Sequence, residues 1–346
     1  MQYSPSTGRN VVTASSLEFS KGLIMPSELL YLSNADIQRL HITPREARQA
    51  VLEAFRDNAA GRNIGLPKSA ISIGPGSWFI AMNAASEANG VAAVKMVAVA
   101  PEQENRTTSR VNGLVSVSDY KTGVPIAVLD GNSITLIRTA AMSSVAATYL
   151  APEAPLTIGL VGCGLQALSH LDAFVDLFPS ICKIFLLSRS VSSAERLAAA
   201  VSEKRLEPII SKDPNALLSQ SEIAISMVPS SPGLKPFLDA RLMPSSSFAA
   251  AVDGARSWLP EALSAFDRLV TDSLEQSKSP VDASGEYVKF AKFQDDLVHL
   301  ASGSSRPDTP TRALFAFQGF VTADLALAEL AIQKARVLGI GTILPR

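Results

Sequence analysis

The spacing of apolar residues changes several times along the chain, and each pattern predicts a different kind of element. Residues 31–61 carry apolar side chains at helical spacing with one interruption, which predicts two helices. Ser33 or Asn34 can cap the first of them. Thr43 can cap the second, because a proline follows it and Glu46 completes a capping box.

A region with strand-like patterns follows. Aliphatic and aromatic side chains dominate runs at 69–74, 78–84 and 91–100, and a longer run at 113–137 is typical of strand, turn and strand. The turn is expected at residues 121–123. Because no helical pattern separates these runs, we expect an antiparallel or mixed sheet.

The second half of the chain has a different pattern. Small residues of high helix propensity predict a helix over 138–151, and from residue 156 apolar runs of strand length alternate with helical segments. This alternation predicts a parallel sheet with crossover helices. Residues 314–345 are expected to form a final helical segment, and residues 1–30 a loose extension. The predicted fold class is therefore α/β, with a doubly wound parallel sheet beside a second unit.

Composition and charge narrow the functional classes. The chain has 346 residues, 47% of them hydrophobic and 18% charged, with a formal net charge of −1. That length favours two domains. The balanced charge gives no reason to expect binding to nucleic acid or to an anionic membrane. The sequence shows neither an apolar run of membrane-spanning length nor a secretory signal near its start, so we expect a cytoplasmic protein.

Cysteine and histidine spacing gives no sign of a metal site. Cys163 and Cys182 lie in apolar stretches without CxxC spacing, so we expect buried free thiols in a reducing compartment. His41, His170 and His299 lie far apart and lack the spacing of metal ligands. We therefore expect neither a zinc enzyme nor a Ser-His-Asp hydrolase.

A glycine-rich turn carries the first specific chemistry. Gly162, Gly164 and Ala167 match the pattern G-x-G-x-x-G/A between an apolar strand and a helix. That context favours a Rossmann-type dinucleotide turn, in which the first glycine permits the tight turn and the second lets the backbone approach the pyrophosphate. Leu165 and Gln166 begin the helix whose free N–H groups would face the phosphates. The alternative is a plain strand–turn–helix that merely needs glycine.

The end of the next strand indicates which dinucleotide binds. NAD-binding turns carry an acidic residue there for the ribose hydroxyls. This chain has Ser188, Arg189 and Ser190 instead, a cation between two hydroxyls that suits a 2′-phosphate. We expect NADP(H) as the preferred cofactor and NAD(H) as the alternative. An arginine on a solvated loop is the competing interpretation.

Several longer segments resemble the ornithine cyclodeaminase/mu-crystallin family. They are VKMVAVAPEQEN (94–105), GLVSVSDYKTGVPIAVLDG (113–131), LIRTAAMSSVAA (136–147), GCGLQA (162–167) and FQGFVTADLALAELAIQKARVLGIGTIL (317–344). The resemblance implies a Rossmann cofactor-binding domain at 149–313. It also implies a discontinuous α+β domain for substrate binding and dimerisation, built from 31–148 and 314–346, after an extension at 1–30. The activity implied is hydride transfer between a nicotinamide and the α-carbon of an amino or imino acid, by a homodimer.

The resemblance also implies roles for individual residues. Arg138 matches the arginine that binds the substrate carboxylate, and Thr139 matches a cofactor contact. Lys95 matches the catalytic lysine, and Asp253 matches the aspartate that moves a proton at the substrate nitrogen. Asp324 matches an aspartate near the cofactor.

Side-chain chemistry supports these roles, although structural alternatives stay open. Arg138, where a strand is expected to give way to a helix, can fork onto a carboxylate. Lys95 interrupts an apolar strand, where an unpaired lysine is costly to bury unless the strand is an exposed edge. Asp253 follows an apolar strand at the end where α/β sheets bind ligands, and capping a helix is its alternative role. An exposed helix position is the alternative for Asp324.

Lys68 departs from the family pattern, since many members carry arginine at this carboxylate-binding position. Lysine is a point charge and not a fork, so the geometry must differ. Asn83 replaces the usual proline in the same expected pocket, and Glu87 is one candidate partner for a second substrate amine. The leading hypothesis is an imine reductase or amino acid dehydrogenase. The alternatives are a cyclodeaminase with catalytic NAD and a cofactor-binding relative without activity.

Overall fold

The computed structural model describes residues 28–74, 77–100, 109–229, 231, 233–278, 292–303, 309 and 311–346. Most of the extension expected at 1–30 therefore lies outside the described residues. The first half contains β1 (Glu28–Leu32), α1 (Asn34–Arg39), α2 (Pro44–Ala59), β2 (Asn63–Gly65), β3 (Ser69–Gly74), β4 (Ser77–Ser86), β5 (Val91–Val99), β6 (Val111–Asp119), β7 (Pro125–Asp130) and α3 (Gly131–Leu150).

The second half contains β8 (Thr157–Val161), α4 (Leu165–Leu177), β9 (Lys183–Leu187), α5 (Val191–Glu203), β10 (Glu207–Ile210), α6 (Pro214–Ser219), β11 (Ile223–Ser226), β12 (Ser247–Ala251), β13 (Arg268–Thr271), α7 (Leu274–Ser277), β14 (Asp295–Asp296), α8 (Leu297–Ala301), β15 (Arg312–Ala316), α9 (Val321–Leu338) and β16 (Thr342–Pro345).

Strands from both ends of the chain form the first sheet. Its order is β16-β1-β7-β6-β5-β4-β2, and β3 also pairs with β4. β1 is parallel to β7, whereas the pairs among β2 to β7 are antiparallel. The expected mixed sheet is confirmed. Gly123, at φ 70°, lies in the turn between β6 and β7 where the sequence placed one.

The second sheet has the order β10-β9-β8-β11-β12-β15-β13-β14, and these described pairs are all parallel. The expected doubly wound α/β arrangement is therefore confirmed. Strand order runs outward in opposite directions from β8 and β11, so the topological switch point lies between them. Ligands of such sheets bind beyond the carboxyl ends of the strands at this point.

Local capping explains where the first two helices begin. Ser33 Oγ accepts from the Asp36 N–H at 3.2 Å while the Asp36 carboxylate accepts from the Ser33 N–H at 3.1 Å. Thr43 and Glu46 form the same reciprocal pair at the start of α2. Both helices were expected at these positions, and Ser33, not Asn34, is the cap of the first.

The start of α3 differs from the sequence prediction. Residues 131–137 were assigned to a strand because they are partly apolar, but they form the first two turns of α3. The Asp130 carboxylate accepts from the N–H groups of Asn132 and Ser133 and so begins the helix at Gly131. Arg138 therefore lies well inside the helix and not at a strand–helix junction.

The carboxyl-terminal segment also differs from the expected single helical run. β15 comes first, α9 covers residues 321–338, and β16 follows. Gly319, at φ 88°, lies in the turn before α9, and Gly339, at φ 64°, ends the helix in the left-handed conformation. The chain is then free to pair with β1, because the helix cannot continue past this glycine.

Helices join the two sheets. α3 contacts β5 and β6 of the first sheet and β12 and β15 of the second, and it packs against α4, where Ser143 Oγ lies 3.0 Å from His170 Nε2. α9 packs against α2, β4 and β5. β15 belongs to the second sheet while α9 and β16 contact the first, and the exact domain boundaries stay a prediction.

The two cysteines differ in their exposure. Cys163 is a buried free thiol, but Cys182 is exposed because it precedes β9 and does not belong to the buried strand, which corrects the expectation for that residue. No helix in the described ranges combines the length and the apolar character that crossing a membrane requires.

Candidate active site

A buried ion-pair cluster lies between β5, α3 and α9. Lys95 Nζ is 2.6 Å from Asp324 Oδ1, and Arg138 Nε is 3.2 Å from the same oxygen. The side chains of Lys95 and Asp324 are each 1% exposed. One carboxylate therefore faces two cations, so the cluster keeps a positive charge that a bound anion can neutralise.

Strand parity explains why Lys95 is inside. Along β5, Val91, Ala93 and Lys95 are buried, whereas Val94 and Met96 are exposed. β5 lies between β4 and β6, so the alternative of a lysine on an exposed edge strand does not hold. The lysine follows the inward-facing alternation of the strand that carries it.

Thr135 completes the contacts of Lys95. Its hydroxyl donates to the Gly131 carbonyl oxygen and accepts from Lys95 Nζ at 2.5 Å. Burial lowers the pKa of Lys95 to about 8, although the charge of Asp324 opposes that shift. The ammonium group can therefore bind an anion near neutral pH and give up a proton at a moderately higher pH.

Lys68 approaches the cluster from the loop between β2 and β3. Its Nζ donates to the Gln318 carbonyl oxygen at 3.0 Å, and its backbone N–H donates to Gln276 Oε1 at 3.3 Å. Burial lowers the pKa of Lys68 to about 8; the charge of Asp272 opposes this shift and that of Arg138 adds to it. Lys68 and Arg138 thus contact neighbouring residues of one turn, because Lys68 Nζ binds the Gln318 carbonyl oxygen and the Arg138 guanidinium packs on Gly319.

Asp253 lies beyond the end of β12, where the sequence placed it. Its carboxylate accepts from Ser226 Oγ at 2.9 Å and from Ser257 Oγ at 2.6 Å, and Trp258 Nε1 donates to the same Ser226 hydroxyl at 3.0 Å. Burial raises its pKa, although these hydrogen bonds oppose the shift. This network, and not the capping of a helix, accounts for its position.

Arg256 connects the Asp253 region with Lys68. Its positive charge acts on both groups, lowering the pKa of each. Arg256 is half-buried, and its guanidinium has no hydrogen-bond or ion-pair partner among the residues that the structure describes. The charge of Arg256 therefore acts on both the Asp253 network and Lys68, and no hydrogen bond joins Asp253 to Lys95 among the described residues.

The turn between β8 and α4 has the shape of a phosphate cradle. Gly162 has φ 98°, and a Cβ there would lie 2.8 Å from the Met227 carbonyl oxygen. Gly164 is the N-cap of α4; nothing lies within 4 Å of where its Cβ would be, and no side chain caps the helix. The first N–H groups of α4 are thus available to an anion, and Ala167 packs the helix against the strand, so these residues fit a dinucleotide pyrophosphate.

Other residues expected to bind the cofactor lie around this cradle or in α3. Ser188, Arg189 and Ser190 follow β9; Arg189 is exposed, and the Ser190 hydroxyl caps α5. Thr139 is buried in α3, where its hydroxyl donates to the Thr135 carbonyl oxygen at 2.6 Å. Leu165, in the first turn of α4, is exposed.

The structure also shows the surroundings of three further residues that the sequence analysis named: Asp324, Asn83 and Glu87. Asp324 pairs with Lys95 and is buried, so the alternative of an exposed helix position does not hold. Asn83 is exposed on β4, where it pairs in register with Val94 on the outer face of the sheet. Glu87 lies exposed in the turn after β4. Neither Asn83 nor Glu87 faces the inward side that carries Lys95.

Some of the buried polar atoms without partners belong to these groups. Such atoms are unfavourable when left unpaired, so they mark positions where a ligand can bind. In the described part of the chain they include Gln166 Oε1 at the glycine turn, Gln276 Nε2 beside Lys68, and Asp324 Oδ2.

Comparison with known proteins shows which family shares this sequence and fold. The model of the ornithine cyclodeaminase/mu-crystallin family matches residues 28–336. The chain belongs to this family. A Delta(1)-pyrroline-2-carboxylate reductase from Bacillus cereus is 26% identical to it over 263 residues, which cover 72% of this chain and 78% of the relative.

Two solved structures share the fold across nearly their whole length. One is the Delta(1)-pyrroline-2-carboxylate reductase of Thermococcus litoralis in complex with NADH and L-proline, with a TM-score of 0.79, 24% identity, and coverage of 90% of this chain and 99% of that one. The other is an archaeal alanine dehydrogenase dimer with bound NAD, with a TM-score of 0.80, 24% identity, and coverage of 92% and 99%.

Sequence interpretation alone missed several groups at this cyclodeaminase-family site. These groups either form hydrogen bonds with the expected residues or act on them through their charge, and they are Thr135, Arg256, Asp272, Gln276 and Gln318. Asp272 carried a usable signal, because it follows the apolar strand β13 just as Asp253 follows β12. Gln276 and Gln318 carried none, since their role depends on backbone contacts with Lys68.

A matched pair of glycine variants separates folding from cofactor binding. We expect Gly162→Ala to destabilise the protein by about 2 kcal/mol, because it forces a side chain into a positive φ against the Met227 carbonyl. Gly164 has φ −89°, and the space around its Cβ position is open, so we expect Gly164→Ala to have normal stability. We expect it to bind NAD(P)H about tenfold more weakly, because the new Cβ would stand between the helix and the phosphate. Urea unfolding and fluorescence titration with NAD(P)H measure the two effects. Equal losses of affinity and stability in both variants would contradict the cradle.

The lysine pKa values predict a pH limit on anion binding. Burial lowers the pKa of both Lys68 and Lys95 to about 8, so both lose positive charge as the pH rises through that value. We expect the affinity for pyrrole-2-carboxylate, a planar carboxylate that cannot be reduced, to fall steadily between pH 7 and about pH 9. Calorimetric titration across this range measures it. Constant affinity up to pH 10 would show that neither lysine binds the carboxylate.

Proposed function

We propose that this protein is an NAD(P)H-dependent oxidoreductase that reduces an α-imino acid, such as a cyclic ketimine, to the amino acid. The observation that carries the proposal is the buried Lys95–Asp324–Arg138 cluster, joined through α3 to the helix that begins at the glycine turn. The proposed carboxylate site and the proposed dinucleotide cradle would then be carried by α3 and α4, two helices that pack against each other. The family relatives that are imine reductases and amino acid dehydrogenases support the same reaction class.

The cofactor supplies the hydride when bound, and this chain supplies its binding site. Gly162 and Gly164 give the pyrophosphate room to approach the first turn of α4. Thr139, Leu165, Gln166, Ala167 and the residues after β9 are the further contacts we propose. The exposed Arg189 favours NADP(H), with NAD(H) as the alternative.

The substrate groups would be divided among four side chains. Arg138 and Lys68 bind the carboxylate, because their charges face one space and Arg138 can offer two parallel N–H donors. Lys95 lies beside them and orients the imine carbon. Asp253 holds a proton at a higher pH than a free aspartate does, because burial raises its pKa, and it can deliver that proton to the nitrogen directly or through water.

The charge balance of the cleft favours reduction of a monoanionic imine over cyclodeamination. Four cations, Lys68, Lys95, Arg138 and Arg256, face three carboxylates, Asp253, Asp272 and Asp324. The cations exceed the carboxylates by one when Asp253 is ionised and by two when Asp253 carries the proton for the substrate nitrogen, so a substrate with a negative charge is favoured in both states. A diamino acid would bring another cation into a cleft that is already positive, and that is unfavourable at low dielectric.

A substrate panel tests this function. Purified protein is given cyclic ketimines, α-keto acids with ammonia or amines, and diamino acids, each with NADPH and NADH in parallel. We expect absorbance at 340 nm to fall with a ketimine or a keto acid–amine pair. Release of ammonia from a diamino acid without net change at 340 nm would instead establish cyclodeamination. No consumption of either nicotinamide with any substrate would overturn the proposal.

Replacing Arg189 tests the cofactor preference. We expect Arg189→Ala to raise the KM for NADPH about tenfold, because it removes a charge-assisted contact to the 2′-phosphate, and to leave the KM for NADH unchanged. Arg196→Ala is the matched control. Arg196 is exposed like Arg189, but it lies within α5, and its Nη2 donates a hydrogen bond to Ser193 Oγ at 3.0 Å. Equal effects on both cofactors would count against a 2′-phosphate contact.

The outer face of the first sheet supports a homodimer. Ile71, Phe79, Val94, Met96 and Leu114 are exposed, and the strand registers place them on one face. An apolar patch on a sheet of this size is typical of a surface buried between subunits. Sedimentation should give about twice the 36.6 kDa of one chain, and a monomer would contradict the dimer.

The exposed thiol of Cys182 fits the reducing cytoplasm, which is the location we propose.

A further inference from the structure

We propose that Asp272 is a positioning residue for the substrate carboxylate: it holds the Gln318–Gly319 turn that places Lys68 and Arg138. The proposal rests on the proposed reduction of an α-imino acid, in which those two cations bind the carboxylate. It adds a residue to the proposed carboxylate site: Asp272, which follows β13 of the second sheet, would hold the carboxylate-binding side chains in place.

Asp272 is anchored at the carboxyl end of β13. It is 1% exposed, and its Oδ1 accepts from the Ser273 N–H at 3.1 Å and from Thr271 Oγ1 at 3.2 Å. Its Oδ2 accepts from the Gly319 N–H at 2.7 Å, and the Gln318 N–H donates to the same carboxylate. A buried carboxylate with this many donors is fixed in place, so the Gln318–Gly319 turn is fixed with it.

The turn fixes Lys68 from one side. The Gln318 carbonyl oxygen accepts from Lys68 Nζ at 3.0 Å. On the other side, Gln276 of α7 accepts from the Lys68 backbone N–H at 3.3 Å, only four residues after Asp272. The segment after β13 therefore binds the Lys68 backbone directly through Gln276, and it supports Lys68 Nζ indirectly, because Asp272 holds the turn whose carbonyl oxygen binds that nitrogen.

The same turn fixes Arg138. Gly319 has φ 88°, and a Cβ built on it would lie 2.5 Å from Arg138 Nη1 and 2.8 Å from Nη2. The guanidinium thus packs directly on the glycine backbone, with no room for a side chain between them. A shift of the turn would therefore move two groups: the Gly319 backbone on which the Arg138 guanidinium packs, and the Gln318 carbonyl oxygen that accepts from Lys68 Nζ.

Charge gives Asp272 its second effect on Lys68. The charged groups that face Lys68 are Asp272, Arg138, Arg256 and Asp324, and among them Asp272 raises its pKa most. Burial is the main cause that lowers the pKa of Lys68, so we expect removal of the Asp272 charge to lower it further. Lys68 would then lose its proton, and its hold on a carboxylate, at a lower pH. Burial also raises the pKa of Asp272, and the charge of Lys68 and the hydrogen bonds to the carboxylate oppose that shift.

Asp272→Asn is the direct test, because asparagine keeps the size of the side chain and removes its charge. We expect the KM for the imino acid and the Kd for pyrrole-2-carboxylate to rise about tenfold, with the KM for NADPH unchanged. The pH at which carboxylate binding weakens should move below that of the unchanged protein. Adding Lys68→Arg to Asp272→Asn should restore binding at high pH, because arginine stays charged.

Calorimetric binding of pyrrole-2-carboxylate to the cofactor complex separates this proposal from the proposed function, because it needs no turnover. Lower thermal stability with an unchanged Kd and an unchanged pH profile would reduce Asp272 to a structural role and overturn the proposal. If Asp272→Asn does not fold, Lys68→Arg alone decides the question. It should make the loss of carboxylate binding above about pH 8 smaller, since only Lys95 then loses its charge, and an unchanged loss would show that the charge of Lys68 does not hold the carboxylate and would overturn the proposal.

Discussion

Replacing Lys95 with methionine is expected to lower kcat for imine reduction by about a thousandfold while the cofactor still binds. Lys95 is the one cation of the cleft that points inward from the middle of a strand, and its Nζ lies 2.6 Å from Asp324 and 2.5 Å from Thr135. These contacts fix its position before substrate binds, which is what makes a charge effective in catalysis. Single-turnover reduction with saturating NADPH measures the loss.

The same substitution should cost stability, which a control must separate from catalysis. Removing one partner of a buried ion pair costs about 3 kcal/mol, because the Asp324 carboxylate would keep only Arg138. Lys183→Met is the matched control: Lys183 pairs with Glu207 at 3.3 Å on the surface of β9, and its loss should change neither kcat nor stability appreciably. A folded Lys95→Met protein with kcat within tenfold of the unchanged enzyme would remove Lys95 from the mechanism.

Arg138→Lys is expected to raise the KM for the imino acid about a hundredfold, because a lysine cannot make the two parallel hydrogen bonds of a guanidinium. The positive charge beside Asp324 stays, so the effect isolates geometry from charge. Steady-state kinetics with the best substrate of the panel gives the value.

Arg48→Lys provides the comparison for Arg138→Lys. Arg48 pairs with Asp176 at 2.8 Å near the surface, and the same chemical change there should alter the KM less than twofold. A KM for Arg138→Lys equal to that of Arg48→Lys would mean that the substrate carboxylate lies elsewhere.

Features that depend on neighbouring residues could be predicted from the sequence. The capping boxes at Ser33 and Thr43 need a donor and an acceptor three residues apart, and both are present in the structure. The glycine turn follows the same logic, because its shape is set by Gly162 and Gly164 alone. The inward position of Lys95 follows from the alternation along its strand.

Features that depend on distant residues were missed or misread. The start of α3 was taken for a strand because its apolar side chains face a core on more than one side, which hides helical periodicity. The position of Asp324 near the cofactor stays a prediction, but its contact with Lys95 joins residues 229 positions apart, and no local pattern encodes that contact. The contact of Lys68 with Gln318 spans 250 positions, and no local pattern encodes it.

The most direct measurement of the central claim is the fate of the hydride. NADPH or NADH, whichever the enzyme uses, is prepared with deuterium at both C4 positions of the nicotinamide and incubated with the enzyme and the best ketimine substrate, and the product amino acid is analysed by mass spectrometry and NMR. Deuterium bound to the α-carbon, with one cofactor oxidised for each amino acid formed, is the result predicted here. Product without deuterium at the α-carbon, or ammonia released with no net oxidation of the cofactor, would contradict the assignment as an imine reductase.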